Sequence, residues 1–463
     1  MTASVRTESA AVASMSRHWP MLRALLGGTA SMRSAGTALL PQWPNEDDES
    51  YKARLAVATL YPAYGRTVEV LAGKPFSKPL TLGENVPARI AAWMTDADML
   101  GRNLHTFAAG VMTDCIGYGP SGVLVDFPRA NGVRTVADER AAGARPYFVR
   151  YSPGTVLGWR TVREGGATKL TQLRLLEVVH EDDGDFGEKE IEQVRVLTPG
   201  AWEVWRKSES GDSSGSWVKV DEGTTTLSAI PFVFFYGKQS GFGVSDAPLL
   251  DLAFQNVEHW QSNSDQQTIL HVARVPILAV IGAEGETSIT VGAKSAVKLP
   301  SGADMRFVEH SGAAIEAGRQ SLKDLEDRMR QAGAEMLVMK SGSMTATQNQ
   351  NEAEGNRSAL QRIVESVEDG LDQCLQFAAD WVGEANGGNV SLFKDFGALS
   401  LAEAMQDLMA MNLSDETRFE EAQRRGLISP DRKWEDERER LSEQGPALGS
   451  IGSAGGEDDG DGQ

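Results

Sequence analysis

Apolar residues recur at helical spacing over three long stretches in the second half of the chain. The first, DAPLLDLAFQNVEHWQSNSDQQTILHVARV, runs from Asp246 to Val275, and the second, AAIEAGRQSLKDLEDRMRQAGAEMLV, from Ala313 to Val338. A third begins at about Glu352 and ends at Gly383. Between the first two lies a β-like excursion from Pro276 to His310, with the apolar run PILAVIG at its start. Between the second and third lies KSGSMTATQNQN, which has no hydrophobic period. A helix the length of the first stretch would span about 45 Å. Two such helices flanking a small β module suit a part that lines or threads something better than they suit a catalytic pocket.

The first half reads differently. Residues 1 to about 125 are mainly helical, with apolar spacing over Trp19 to Leu26, Ser50 to Leu71, Pro87 to Met94 and Met99 to Cys115. Pro62 kinks or divides the second of these, and Gly117 and Gly119 stop the last. GYGPSGVLVDFP then reads as a turn into a strand with Val123, Val125 and Phe127 on one face. From Arg145 the period changes to two, giving one antiparallel β domain of five or six strands. Its turns fall at Pro153-Gly154, Gly165-Gly166, Asp183-Gly184 and Pro199-Gly200, and it closes with the apolar strand Ile230 to Phe235. After Gly383, LSLAEAMQDLMAMN and SDETRFEEAQRRGLI read as short amphipathic helices in a helical region ending near Leu441. The fold class is α+β, and no internal repeat of fixed period is present.

Composition changes the picture in one respect. The net charge is -20, which argues against a sequence-specific nucleic-acid binder, since that would need a basic face to neutralise phosphates. It leaves room for a surface past which DNA slides without being gripped. Part of the charge sits in GSIGSAGGEDDGDGQ, within an acidic tail over 442–463 expected to be disordered. The two cysteines, Cys115 and Cys374, form no framework, which fits a reducing cytoplasm. Charged residues interrupt the N-terminal apolar positions, so no secretion signal is expected. The runs VPILAVIG and IPFVFFYG are too short to span a bilayer.

The familiar signatures of chemistry are missing. There is no GxxxxGK[ST], no HExxH, and no GxSxG at a strand-to-helix turn. Gly241-Phe242-Gly243 lacks the third glycine of a dinucleotide fingerprint and reads as a loop entering the helix at Asp246. No two of His18, His105, His180, His259, His271 and His310 stand three or four apart, so no helix face offers a metal pair; His259 and His271 read as packing or polar positions. Glu181-Asp182-Asp183-Gly184-Asp185 fails calcium-loop spacing and reads as a solvated hairpin tip. Asp324, Glu326 and Asp327 share a charged helix face with Lys323, Arg328 and Arg330, a solvated or intersubunit surface. No catalytic, cofactor or metal residue is assigned, and the chain is not expected to be an enzyme.

The order of parts, together with several segments, resembles the tailed-bacteriophage portal (head-to-tail connector) proteins. The resemblance rests on Arg33 to Pro41 followed by ESYKARLAVATLYPAYGRTVEVLAGKPFSKP, on GYGPSGVLVDFP and RPYFVRYSPGTVLGW, and on IPFVFFYG with APLLDLAFQNVEHWQSNSDQQTILHVARVPILAVIG. It extends through FVEHSGAAIEAGRQSLKDLEDRMRQAGAEML, and so spans about Trp19 to Leu441. It implies a portal fold. A flexible arm over 1–18 precedes a wing of helices and an antiparallel β domain over 19–245. Stem helices follow at 246–275 and 313–338, with a small α/β clip at 276–312 between them. A tunnel loop at 339–352, a linking helix at 353–386 and a helical crown at 387–441 complete it.

It further implies a ring of twelve copies at one capsid vertex of a virion, assembled in the host cytoplasm. Double-stranded DNA would pass through without sequence specificity, driven by a terminase whose large subunit docks there. The major capsid protein and head-tail adaptor proteins would be neighbours, with no membrane involved. Tunnel-loop candidates for DNA are Lys340, Ser341, Ser343, Thr345, Thr347, Gln348 and Asn349. Small hydroxyls and amides can touch phosphates without a strong charge trap, and Lys340 is either a phosphate contact or a helix C-terminal charge. Lys294, Lys298 and Arg306 in the clip are candidates for DNA, terminase or adaptor, or for intersubunit salt bridges. The first stem helix has one cation, Arg274, so no lysine-ringed channel is expected there. The overall acidity fits a conduit that repels DNA and so does not retain it. The rival readings are another ring-forming or scaffold-type virion protein without a DNA channel, and a hydrolase with an unrecognised site in the β domain.

Overall fold

The N-terminal residues fold back onto the β-rich part of the chain, where a flexible arm over 1–18 was expected. Ser9 caps helix α1 (Ala10–Met15) by accepting from the Val12 amide, and Val12 and Met15 are buried. The Ser9 amide donates to the Leu157 carbonyl at 2.8 Å, and the Arg174 guanidinium donates to the carbonyls of Val5 and Thr7 at 2.8 and 2.7 Å. The strap is held by backbone bonds to a distant arginine, which hydrophobic spacing does not reveal.

This computed structural model describes residues 4–128, 144–208, 215–274, 277–281, 304–308, 312–337, 358–394, 396, 414–424, 428 and 432–443. The chain divides into two units, Met1–Phe393 and Lys394–Gln463.

In the first unit, helices α2 (Trp19–Leu26), α3 (Gly28–Ser34), α4 (Asp48–Val57) and α5 (Ala63–Gly73) follow α1. Pro62 lies immediately before α5 and divides the expected Ser50–Leu71 helix. The two-residue strand β1 (Thr81–Leu82) precedes α6 (Ala88–Trp93) and α7 (Leu104–Tyr118). Asn103 caps α7 through the Thr106 amide. Gly119 ends the helix at φ +102, and a Cβ there would lie 2.5 Å from the Asp246 backbone. Glycine is required on both counts.

The strands between Gly119 and Tyr236 form two sheets packed on one another within the expected β domain. β2 (Pro120–Asp126) is the centre of a three-stranded antiparallel sheet, between β3 (Tyr147–Tyr151) and β9 (Phe232–Tyr236). The other sheet is a five-stranded meander: β4 (Val156–Glu164), β5 (Ala167–Asp183), β6 (Gly187–Thr198), β7 (Ala201–Lys207) and β8 (Trp217–Thr224). The turn glycines at 154, 165, 166, 184 and 200 all have positive φ. The acidic run is the tip of the β5–β6 hairpin, whose last register pair is Asp183 with Gly187. The expected one-faced pattern on β2 is absent, because Ser121 to Val125 are all buried. Leu124, Tyr151 and Phe232 pack against Leu173, Leu175 and Leu197 of the meander, while helices cover the other face. A strand covered on both faces has no reason to alternate.

The hairpin β10 (Lys238–Gly241) and β11 (Val244–Asp246) leads into α8 (Leu250–Ala273). β12 (Ile277–Ile281) and β13 (Asp304–Val308) pair antiparallel, and α9 (Ala313–Glu335) follows. Helix α10 (Ala359–Val382) opens on a capping box between Ser358 and Gln361 and closes on Gly383 in the left-handed region. It lays an apolar stripe, including Ile363, Val367, Leu371 and Leu375, on the three-stranded sheet. β14 (Val390–Ser391) pairs with β1. The Val390 and Leu392 amides donate to Asp372 and Glu368 of α10, so residues up to 393 belong to the first unit and not to a helical C-terminal region beginning at 387. In the second unit, α11 (Asp415–Arg424) and α12 (Trp434–Glu443) meet through Phe419 and Trp434, ring centroids 5.5 Å apart. The segment LSLAEAMQDLMAMN and most of the acidic tail lie outside the described residues.

Candidate functional site

Helices α8 and α9 form the long pair anticipated between Asp246 and Val338. Helix α9 is amphipathic in the ordinary way. Leu325, Met329 and Gly333 are buried and Ile315, Gly318 and Leu322 are half-buried, at spacings of three and four. Helix α8 is different, since its buried positions include Asn256, His259, Ser264 and Gln266 beside Leu252, Ala253 and Trp260.

Those polar residues are docking groups. The Asn256 side chain accepts from the Tyr64 amide at 2.9 Å and donates to the Tyr61 carbonyl at 2.8 Å. Gln261 donates to the Leu39 carbonyl at 3.0 Å and Asn263 to the Thr59 carbonyl at 3.2 Å. Gln266 reaches across to the Ile315 carbonyl of α9 at 2.9 Å. The segments around Leu39 and from Thr59 to Tyr64 adjoin helix ends, whose backbone groups need partners from elsewhere. A row of amides on α8 supplies them.

Arg54 closes the same contact from the N-terminal side. Its guanidinium donates to both carboxylate oxygens of Glu46, at 2.8 and 2.7 Å, and to the Pro41 carbonyl at 2.9 Å. It lies 4.2 Å from the Trp43 ring centroid and 3.5 Å from the Ser264 hydroxyl of α8. Both charged side chains are almost fully buried, at 4% and 5% exposure. Glu46, held by Arg54, keeps its carboxyl below the ordinary value, while burial pushes the neighbouring Asp265 up.

Farther along the pair, His259 faces Glu326 of α9 at 3.6 Å and the Tyr61 ring at 5.2 Å. Burial holds its pKa below the ordinary histidine value, with Glu326 opposing. The outer surface of α9 carries mixed charge paired within the helix: Arg319 with Glu316, and Arg330 with Glu326 and Asp327.

The candidate contact residues are less well placed. Lys294, Lys298, Lys340, Ser341, Ser343, Thr345, Thr347, Gln348 and Asn349 all lie outside the described residues. Arg306 falls in β13, in register with Ala279 of β12. Arg274 is exposed, one residue beyond α8. The site-building residues that sequence reasoning passed over are Arg54 and the amides of α8. The available signal was Asn256 and Asn263, seven apart and thus on one face of a helix. Among the described residues no group of three or more His, Cys, Asp or Glu side chains could hold a metal ion, and no helix is long and apolar enough to cross a membrane.

Residues 248–382, from just before α8 to the end of α10, match a family model described as a domain of unknown function, DUF4055. Three solved structures share a remote likeness. The neck of the native GTA particle computed with C12 symmetry is 13% identical, with 84% of this chain and 97% of that chain covered and a TM-score of 0.41. The neck of the empty GTA particle computed with C6 symmetry gives 13%, 84%, 92% and 0.43. The virion of the native gene transfer agent particle gives 12%, 84%, 97% and 0.41. Likeness at that level decides nothing about what the chain does. No curated protein matches it.

Proposed function

We propose that this chain is a portal subunit of a tailed phage or phage-like particle, the head-tail connector through which double-stranded DNA is packaged and ejected. The observation that carries the reading is the order of α8, the antiparallel β12–β13 pair and α9, in a chain whose segments from about Trp19 to Leu441 resemble portal proteins. In this reading α8 and α9 are the stem, the strand pair belongs to the clip, and the residues between α9 and α10 supply the tunnel loop. The α2–α7 helices and the two sheets form the wing, and α11 and α12 belong to the crown. The chain acts as a twelve-membered ring in the virion, with the terminase large subunit, the major capsid protein and head-tail adaptors as partners. It is a conduit and not a catalyst. Lys340 and the hydroxyls and amides after it face DNA, while Lys294, Lys298 and Arg306 serve the clip.

The docking of α8 supports this. A helix held to backbone carbonyls by side-chain amides keeps its position without a thick apolar core around it, as a channel wall requires. Cryo-microscopy of the purified chain tests the reading directly. Rings of about twelve copies with an axial hole, the number the resemblance implies, are expected, and a stable monomer would sink the proposal.

A further inference from the structure

The α8–α9 pair has two flanks of opposite character. At 3.6 residues per turn, Gln267, His271 and Arg274 project from the side of α8 that also carries Asn256 and Asn263, the residues that reach Tyr61 and Thr59. Asp251, Glu258 and Ser262 project from the opposite side. On the first flank, α4 and α8 enclose an open groove of about 730 Å³ walled by Ala53, Val57, Leu270, His271 and Arg274. None of the described residues that line it is a carboxylate. The Arg54 guanidinium at its floor is turned into the pair with Glu46. Val57 is 63% exposed there, an apolar wall with no cover.

On the second flank Asp251 and Glu258 are exposed, with Phe254 beside them at 48% exposure. Helix α9 extends that flank. Arg330 lies beside Tyr61 on the groove side, so Ala317, Ser321 and Asp324, a third to half a turn away round the helix, face the other way. All three are exposed.

We infer that the α4–α8 groove seats the opposite flank of a second copy of this chain, with Glu258 and Ser262 of α8 and the small residues Ala317 and Ser321 of α9 entering it. The groove offers Arg274 and the exposed Val57, the other flank offers Glu258 and Asp324 with Arg328 among them, and the two lie on opposite sides of one helix pair. A head-to-tail contact needs this arrangement, because each copy then gives one flank, receives the other and repeats until rotation closes the ring. The inference rests on the ring reading above and assigns its interface.

The test uses the full chain with Ala53→Cys and Ala317→Cys, both at exposed positions, and a short bis-maleimide. The native Cys115 and Cys374 are fully buried, so only the introduced thiols react. A ladder of covalent multimers is expected from the double variant and from neither single variant. Rings seen by microscopy with only monomer after cross-linking would overturn this interface and leave the ring standing. A chain that is monomeric by native mass would overturn both. As a second variant, Val57→Arg should lower the assembled fraction without moving the thermal midpoint of the monomer.

Discussion

His259 of α8 stands 3.6 Å from Glu326 of α9, and among the described residues neither imidazole nitrogen has a partner within hydrogen-bond distance. The ring is buried against Tyr61, which lies beside Arg330, and burial lowers its pKa in the folded chain. The unfolded chain therefore binds a proton that the folded chain refuses as pH falls through about 6.5, and the stability of the pair is lost below that value. Asp114 works in the opposite sense. Burial pushes its carboxyl from 3.8 to about 6 despite Arg150 and Ser121, so its destabilising effect is relieved on acidification. Thermal midpoints measured from about pH 7.5 down to about pH 5.5 should fall less in His259→Leu than in the parent chain. Parallel falls would show that His259 does not govern this window.

Arg54 is the most consequential single side chain at the junction of α4 and α8. Truncating one member of a buried ion pair leaves the other charge without compensation, which costs on the order of 3 kcal/mol. Arg54→Ala should lower the denaturant midpoint accordingly. Arg54→Lys should recover little, because an ammonium cannot serve Glu46 through two nitrogens and still reach the Pro41 carbonyl. Full recovery by lysine would mean that charge alone, and not the planar fork, fixes the contact.

The reach of the sequence shows in what these two sites are made of. The 3.6-residue period located α9 and α10 because each carries an apolar stripe on one face, and α8 through its recurring apolar residues although its buried face is half polar. Gly154 marked the entry to the meander and glycines 165, 166, 184 and 200 its turns, because positive φ is nearly theirs alone. Arg54 and Asn256 left a weaker trace, since their partners are backbone amide and carbonyl groups and a glutamate eight residues away, none of which hydrophobic spacing marks. The split into two sheets was hidden for a related reason. β2 is buried on both faces, so its pattern carries no direction, and its partner β9 lies more than a hundred residues away. Residues 4–18 and 387–393 were assigned to outlying parts because their anchors, Arg174, Asp372 and Glu368, are likewise remote contacts.

Asn256 provides the sharpest test of the amide row. It is fully buried and serves one donor and one acceptor of the segment between Tyr61 and Tyr64. Asn256→Leu fills a similar volume but leaves a buried amide and a carbonyl unpaired, at about 1–3 kcal/mol each. The denaturant midpoint should drop by the equivalent of about 2–4 kcal/mol, and amide exchange at Tyr64 should accelerate. An Asn256→Leu chain as stable as the parent would show that water replaces the side chain at no cost.

Helix α10 meets the three-stranded sheet closely at Gly370, where a Cβ would lie 2.5 Å from the Phe235 ring. That ring is fully buried and cannot turn aside. Gly370→Val forces the helix and sheet apart, at about 1–3 kcal/mol, against a helix-propensity gain that alone would favour substitution. A lower thermal midpoint is expected, and a higher one would indicate that the α10 contact yields.

The residues between α9 and α10 can be shortened without disturbing either helix. The Leu360 amide donates to the Met336 carbonyl at 3.1 Å, so the end of one helix and the start of the other already touch. Ser358 and Gln361 cap α10 from within its own sequence. Deleting Ser341 to Gln348 therefore leaves both ends anchored and enough chain to join them. Rings should assemble with unchanged mass and thermal midpoint, because nothing that holds α8, α9 or α10 is removed. Particles built with the deleted chain should package or retain less DNA, since the hydroxyls and amides assigned to the channel are gone while Lys340 remains. Lys340→Ala in the intact chain separates its two readings, as a phosphate contact lowers packaging whereas a helix-end charge shifts only stability, by about 0.5 kcal/mol. Normal packaging by the deleted chain would remove the DNA-facing role from this segment.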